Sequence, residues 1–239
     1  MILSTPGLVL HTTPYGEAAV VAKVFTRQLG LRSYLVKGVR SQRGRVRQNL
    51  LQPLSSLDMV VYDSPKRDLN YIKELSPRHP EPPADAVGNA LRFFMTEVLY
   101  KALREEEPMP DLFDYVESLS SRLSDPEGQP AVLPLRFLLT LTHHLGVEPL
   151  DNYSPREPLF DLQEGRFVAN SSETTLPPAL STMLHEHLSD AGGQPRTGVT
   201  QSTPSDRRAL LDALIAYCQL HFSGFRNIHS HEILHTILR

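Results

Sequence analysis

The chain has 239 residues, 40% of them hydrophobic and 21% charged, the balance of a folded protein with a substantial core. No apolar run approaches the ~18 residues of a membrane span, the N-terminus lacks the features of a secretory signal, and the single cysteine, Cys218, leaves no intramolecular disulfide and no cysteine-built zinc site; an intracellular, cytoplasmic location is expected. The net charge of −3 conceals a division, since residues 1–80 carry 12 Lys or Arg against 5 Asp or Glu, and the remainder carries 12 against 22.

Residues 7–75 read as β structure. GLVLHT is a short apolar run, AAVVAKVFT is Val-rich with partial alternation, and QLGLRSYLVKG follows a turn marked by Gly30. The last two suit a hairpin with a short loop around Arg27–Leu31. LDMVVYD and LNYIKEL are further strands, separated by the polar cluster Ser64-Pro65-Lys66-Arg67. Five short strands with one long connection before the fourth predict a small closed barrel of the OB type, with an SH3-like barrel or an open meander as alternatives.

SPRHPEPP, residues 76–83, is a proline-rich break, and beyond it the period changes. Val87, Leu91, Phe94, Met95, Val98, Leu99 and Ala102 define an amphipathic helix within 84–104. A second helix carries Leu112, Phe113, Val116, Leu119 and Leu123, and a third, 131–145, is apolar nearly all round, with Gly146 as its C′ residue. Residues 149–170 are irregular, with strand-like pieces at 159–161 and 166–168. Residues 180–188 are helical, Thr203 and Pro204 open a long helix as N-cap and N1, and 229–238 is the last helix. The chain is thus α+β: an OB-fold β-barrel over 1–79, then an all-α helical domain over 80–239.

The long connection is KGVRSQRGRVR, residues 37–47, with Lys37, Arg40, Arg43, Arg45 and Arg47 spaced by Gly38 and Gly44. Arg27 and Arg32 flank it on the neighbouring hairpin, and no acid occurs between Glu17 and Asp58. A one-sign field of this extent calls for a polyanion, and a cationic loop on a barrel suits a phosphate backbone; a solvated surface loop is the alternative. Tyr34 and Tyr71 are placed either to stack bases or to fill the core.

Chemistry has less support. His231 and His235 stand at i, i+4 and share a helix face, but two metal ligands need a third. Packing or surface roles are expected for them, for His221 and His229, and for His143-His144. Glu105-Glu106-Glu107 reads as a solvated charge run. No nucleophile elbow, Walker A or dinucleotide fingerprint occurs, so no catalytic residue, metal or cofactor is assigned. A metal-dependent hydrolase using the C-terminal histidines and a protein-only adaptor are the competing readings.

The stretch from LVLHTTPYGEAAVVAKVFT through RSYLVKGVR to LLQPLSSLDMVVYD resembles the N-terminal domain of the bacterial RecO DNA repair family. Tyr15-Gly16-Glu17, the VFT strand, the Lys-Gly-x-Arg element and Leu-Gln-Pro occur in order. TEVLYKALREEEPMPDLFDYV resembles that family's first helical pair, and LLDALIAYCQLHFSGFRNIHSHEIL its C-terminal helices. The resemblance implies an OB-fold and a helical domain without catalytic turnover. It further implies binding of single- and double-stranded DNA, annealing of complementary strands, and action with RecR and the single-strand binding protein to help place RecA, in association with the nucleoid. It carries Lys37 and Arg40 as DNA-binding residues, which Arg43, Arg45 and Arg47 join by position and charge. It also implies an apolar groove with a basic rim for the acidic tail of the single-strand binding protein, with Arg92 and Arg136 as rim residues. Many members carry a four-cysteine zinc motif where this chain has LGVEPLDNYSPREPLFDLQEGRF, so no zinc is expected there.

Overall fold

The structure is a computed structural model that describes residues 2–39, 49–64, 69–79, 85–123, 129–190 and 202–238. Five strands, β1 (Ile2–Tyr15), β2 (Ala19–Thr26), β3 (Gly30–Lys37), β4 (Ser56–Tyr62) and β5 (Asn70–Pro77), close a barrel in the order β1-β2-β3-β5-β4. All neighbours are antiparallel except β3 and β5, which run parallel at Tyr34–Asn70 and Leu35–Tyr71. This is the expected OB-type barrel.

Its interior follows from the period-2 pattern. Ala22 and Val24, Tyr34 and Val36, and Leu57, Met59 and Val61 alternate into one buried cluster with Val9. β1 is longer than the apolar run suggested because it serves two neighbours: residues 2–8 pair with β4, and residues 7–15 with β2. At the crossover, a Cβ on Gly7 would lie 2.5 Å from Met59 Cε and 2.6 Å from Val24 Cγ1, so any larger residue would force these core side chains to shift.

Contacts group the described residues into two compact units, 1–125 and 126–239. The proline-rich break near residue 80 marks the passage from strand to helix. The first unit nevertheless includes α1 (Ala86–Ala102) and α2 (Pro110–Ser120) with the barrel. α1 starts where Asp85 accepts a hydrogen bond from Gly88 N, 2.7 Å, and buries the predicted face of Leu91, Phe94, Met95, Val98 and Leu99. On α2, Phe113 meets Phe25 of β2 edge-on, with ring centroids 5.6 Å apart.

The second unit contains α3 (Leu133–His144), the hairpin of β6 (Leu159–Asp161) and β7 (Arg166–Val168), α4 (Pro178–Asp190), α5 (Pro204–His221) and α6 (Ser230–Ile237). α3 buries Leu135, Phe137, Leu138 and Leu141 and is central to this unit. It ends at Gly146, whose φ of 70° allows Gly146 N to donate to His143 O and Val147 N to Thr142 O. Thr203 and Asp206 form a full capping box on α5.

The segment between α3 and α4 is tied by Asp161, which is 4% exposed. One carboxylate oxygen accepts from the backbone N–H groups of Gln163 and Glu164, at 2.8 and 2.9 Å; the other accepts from the hydroxyls of Ser172 and Thr174, at 2.7 and 2.8 Å. Burial pushes this carboxyl up, but the four donors outweigh it and hold the group below the usual aspartate range. A lowered pKa contributes stability that is fully present above the ordinary value and is lost as pH falls through the lowered one. Asp161→Asn is therefore expected to cost about 2 kcal/mol at pH 7, with a deficit that shrinks below about pH 4. Urea unfolding at pH 7 and pH 3 checks this, and an equal deficit at both would contradict it.

Candidate nucleic-acid interface

The basic connection leaves β3 at Lys37, and the barrel places that residue beside an open groove. Because β3 runs parallel to β5, its end lies next to Tyr71, and Tyr71 pairs across β5 and β4 with Tyr62. Lys37 Nζ stands 5.6 Å from the centroid of the Tyr71 ring. Lys37, Tyr62, Tyr71 and Lys73 line a cavity of about 300 Å³ whose floor is Leu35, Val36, Ile72 and Leu75. Tyr62 is 45% exposed and Tyr71 36%, so both rings present area to solvent. Two cations beside two exposed aromatic faces make a surface that can hold phosphates and stack bases. Tyr34, in phase with Val36, is fully buried in the barrel instead. Burial, reinforced by the Asp63 charge, raises its hydroxyl well above the ordinary range.

Of the other basic residues expected here, Arg40, Arg43, Arg45 and Arg47 lie outside the described residues. Arg27 and Arg32 do not face outward as free cations. Arg27 grips Asp114 of α2 through two hydrogen bonds, Nε to Oδ1 at 2.7 Å and Nη2 to Oδ2 at 2.8 Å. Those bonds from Arg27 hold the Asp114 carboxyl below its usual range. Arg32 is only 9% exposed, 3.8 Å from Asp63, and hydrogen-bonds Glu106. Lys23 pairs with Glu105, and Arg78 with Asp58 and Glu117 at 2.8 and 3.0 Å. Glu105 and Glu106 are thus solvated, as expected of a charge run, and are also partners of barrel cations. These acids lie 74 to 87 residues from Arg32, Lys23 and Arg27 in sequence, and the packing of α1 and α2 on the barrel brings them in.

The expected rim residues separate. Arg92 is buried in α1, in the first unit, whereas Arg136 is half-buried on α3, in the second. The second unit does hold a narrow apolar groove, of about 20 Å³, with basic neighbours. Pro134, Leu135, Leu211, Leu234 and Leu238 line it beside Arg207 and Arg208, and Arg208 Nε is buried there without a hydrogen-bond partner. The sequence reading singled out neither arginine, and neither Tyr62 nor Lys73 as a site residue. Tyr62 was within reach, because Leu57, Met59 and Val61 point inward and alternation turns residue 62 out.

At the C-terminus the order His231-Glu232-Ile233-Leu234-His235 matches the H-E-x-x-H spacing of helical zinc sites, contrary to the expectation that no carboxylate of that motif is present. The two imidazoles converge on Asp212, with Nε2 to Oδ1 distances of 3.9 and 3.2 Å, while Glu232 lies near His229. Among the described residues, no group of three or more His, Cys, Asp or Glu is arranged to hold a metal ion. Burial pushes the Cys218 thiol up to about 12, so it is protonated at neutral pH. No helix among the described residues is long and apolar enough to cross a membrane.

A family model described as recombination protein O, N terminal, matches residues 1–80, and one described as recombination protein O, C terminal, matches residues 83–153. The chain is 31% identical over 247 residues to the DNA repair protein RecO of Porphyromonas gingivalis W83, covering 99% of each chain. It is 29% identical over 242 residues to that of Christiangramia forsetii, with the same coverage. To that of Phocaeicola vulgatus it is 32% identical over 171 residues, or 71% of each chain.

The ion pairs carry their own test. Arg32→Ala removes the guanidinium that lies 3.8 Å from the buried Asp63 and is expected to cost about 3 kcal/mol of stability. Arg27→Ala, at an exposed pair, is expected to cost less than about 1 kcal/mol. Chemical denaturation of both variants measures the difference, and equal midpoints would remove the internal role given to Arg32.

Proposed function

The chain belongs to the RecO family of DNA repair proteins, and from that premise we propose that it is a non-enzymatic recombination mediator which binds single- and double-stranded DNA through its barrel. The groove of Lys37, Tyr62, Tyr71 and Lys73, at the point where the acid-free basic stretch leaves β3, is the observation that carries this reading. Phosphates are held by Lys37, Lys73 and the sequence-adjacent Arg40, Arg43, Arg45 and Arg47, while Tyr62 and Tyr71 stack bases without reading sequence. Arg27 and Arg32 are left out, since their charges are answered within the protein.

Annealing follows from charge neutralisation. Two phosphate backbones repel, and a cationic surface that screens both lowers the cost of bringing complementary strands together. In this reading the protein works with RecR and the single-strand binding protein to help load RecA, in the cytoplasm at the nucleoid. The acidic, apolar tail of the single-strand binding protein docks in the groove beside Arg207 and Arg208, whose guanidinium groups suit carboxylates. No cofactor or metal takes part.

With Lys37, Lys73 and the four loop arginines as phosphate contacts, log affinity for single-stranded DNA is expected to fall against log salt with a slope of about −4.2. The Arg40/Arg43/Arg45/Arg47→Ala variant should approach about −1.4. Anisotropy titrations over a salt series measure both, and a flat wild-type dependence would sink the proposal. For the partner groove, Arg208→Glu is expected to weaken an acidic tail peptide roughly tenfold in the same format. Unchanged peptide affinity would move that site elsewhere.

A further inference from the structure

The first unit contains a second groove on a different face of the barrel. It runs between β1 and α1 and has a volume of about 350 Å³. Its walls carry three rings: His11 of β1, and Phe93 and Tyr100 of α1, which stand two helical turns apart. Phe93 is 54% exposed and Tyr100 37%, although α1 already buries its opposite face fully in the core. The His11 and Tyr100 rings are 5.2 Å apart at centroid and tilted by 35°. A register shift between Val9 and His11 breaks the alternation of β1: Val9 enters the barrel core, Leu10 lines this groove, and His11 is turned to meet Tyr100.

We propose that this groove is a second site for single-stranded DNA, in which unpaired bases stack on Phe93, Tyr100 and His11. Three features favour bases over an apolar peptide. The exposed groups are flat aromatic faces, the platform on which any base stacks. Lys101 supplies a cation for a backbone phosphate. The groove is also continuous with the proposed interface along the chain. The acid-free basic stretch departs from Lys37 in the first groove and returns at Leu51 and Pro53, which line the second.

The inference rests on the DNA-binding reading above and deepens it by giving annealing a second strand site. Stacking holds base faces and leaves Watson–Crick edges open, so two strands held on one barrel meet as if intramolecular.

The test is photocrosslinking of the full chain to oligonucleotides carrying 5-iodouridine, with the linked peptides identified by mass spectrometry. Crosslinks are expected both at Tyr62 or Tyr71 and within residues 93–101. The Phe93→Ala/Tyr100→Ala variant is expected to anneal complementary strands roughly tenfold more slowly. Its thermal midpoint should hold, because both side chains are exposed. Crosslinks confined to Tyr62 and Tyr71, or a wild-type annealing rate in the variant, would overturn the second site and leave the barrel interface standing. Crosslinks only within 93–101 would support the second site and overturn the first, and crosslinks at neither would overturn both.

Discussion

The paired acids at residues 105–117 decide which barrel cations remain for a polyanion. Lys23, Arg27, Arg32 and Arg78 are each met by a carboxylate from this segment. The positive field of the first 80 residues is therefore cancelled where α1 and α2 cover the barrel, whereas on the side of Lys37 and Tyr71 the acid that meets a groove cation is the adjacent Glu74, 3.2 Å from Lys73. Exposed pairs of this kind add little stability, on the order of 0–1 kcal/mol each. Their effect is on the direction of the field, which is what steers a charged ligand.

Attachment of the helices to the barrel rests on apolar contact. Phe113 and Phe25 are both fully buried, and burying an aromatic side chain contributes about 3 kcal/mol. The barrel in turn depends on β1 serving both β2 and β4, with Gly7 at the crossover. Closure and charge arrangement are linked through this geometry. Closing β3 against β5 puts Lys37 over Tyr71, and burying the outer face of β2 brings Arg27 to Asp114.

Features set by neighbours in sequence were legible before the structure. The strand alternation of AAVVAKVFT and LDMVVYD, the amphipathic face of α1, the Thr203-Pro204 helix start and the strand pieces at 159–161 and 166–168 all depend on residues within a few positions of each other. What depends on distant partners was not. Arg27 and Arg32 read as free cations because Asp114 and Glu106 lie more than seventy residues away. Tyr34 and Tyr71 could not be told apart until the register was known: Tyr34 shares the inward phase of Val36, and Tyr71 faces Tyr62 on the outer surface. The second groove was equally hidden, since neither Tyr100 nor His11 is distinctive alone.

The same distinction between local and distant constraint applies to the segment after α3, which contains no cysteine. A metal held by thiolates pins several points of chain to one centre. Here Asp161 draws Gln163, Glu164, Ser172 and Thr174 to one carboxylate. Beside it, Phe160 and Phe167 pack edge-on at 5.1 Å, and Tyr153 stacks on His185 at 4.3 Å. Such a hub needs only an ionised carboxylate and short-range donors, so it can form wherever the local chain supplies Ser, Thr and backbone N–H groups. It does not need four residues fixed by spacing. It differs from a metal centre in its vulnerability, because protonation of one group weakens every bond it accepts, whereas a chelator has nothing to remove.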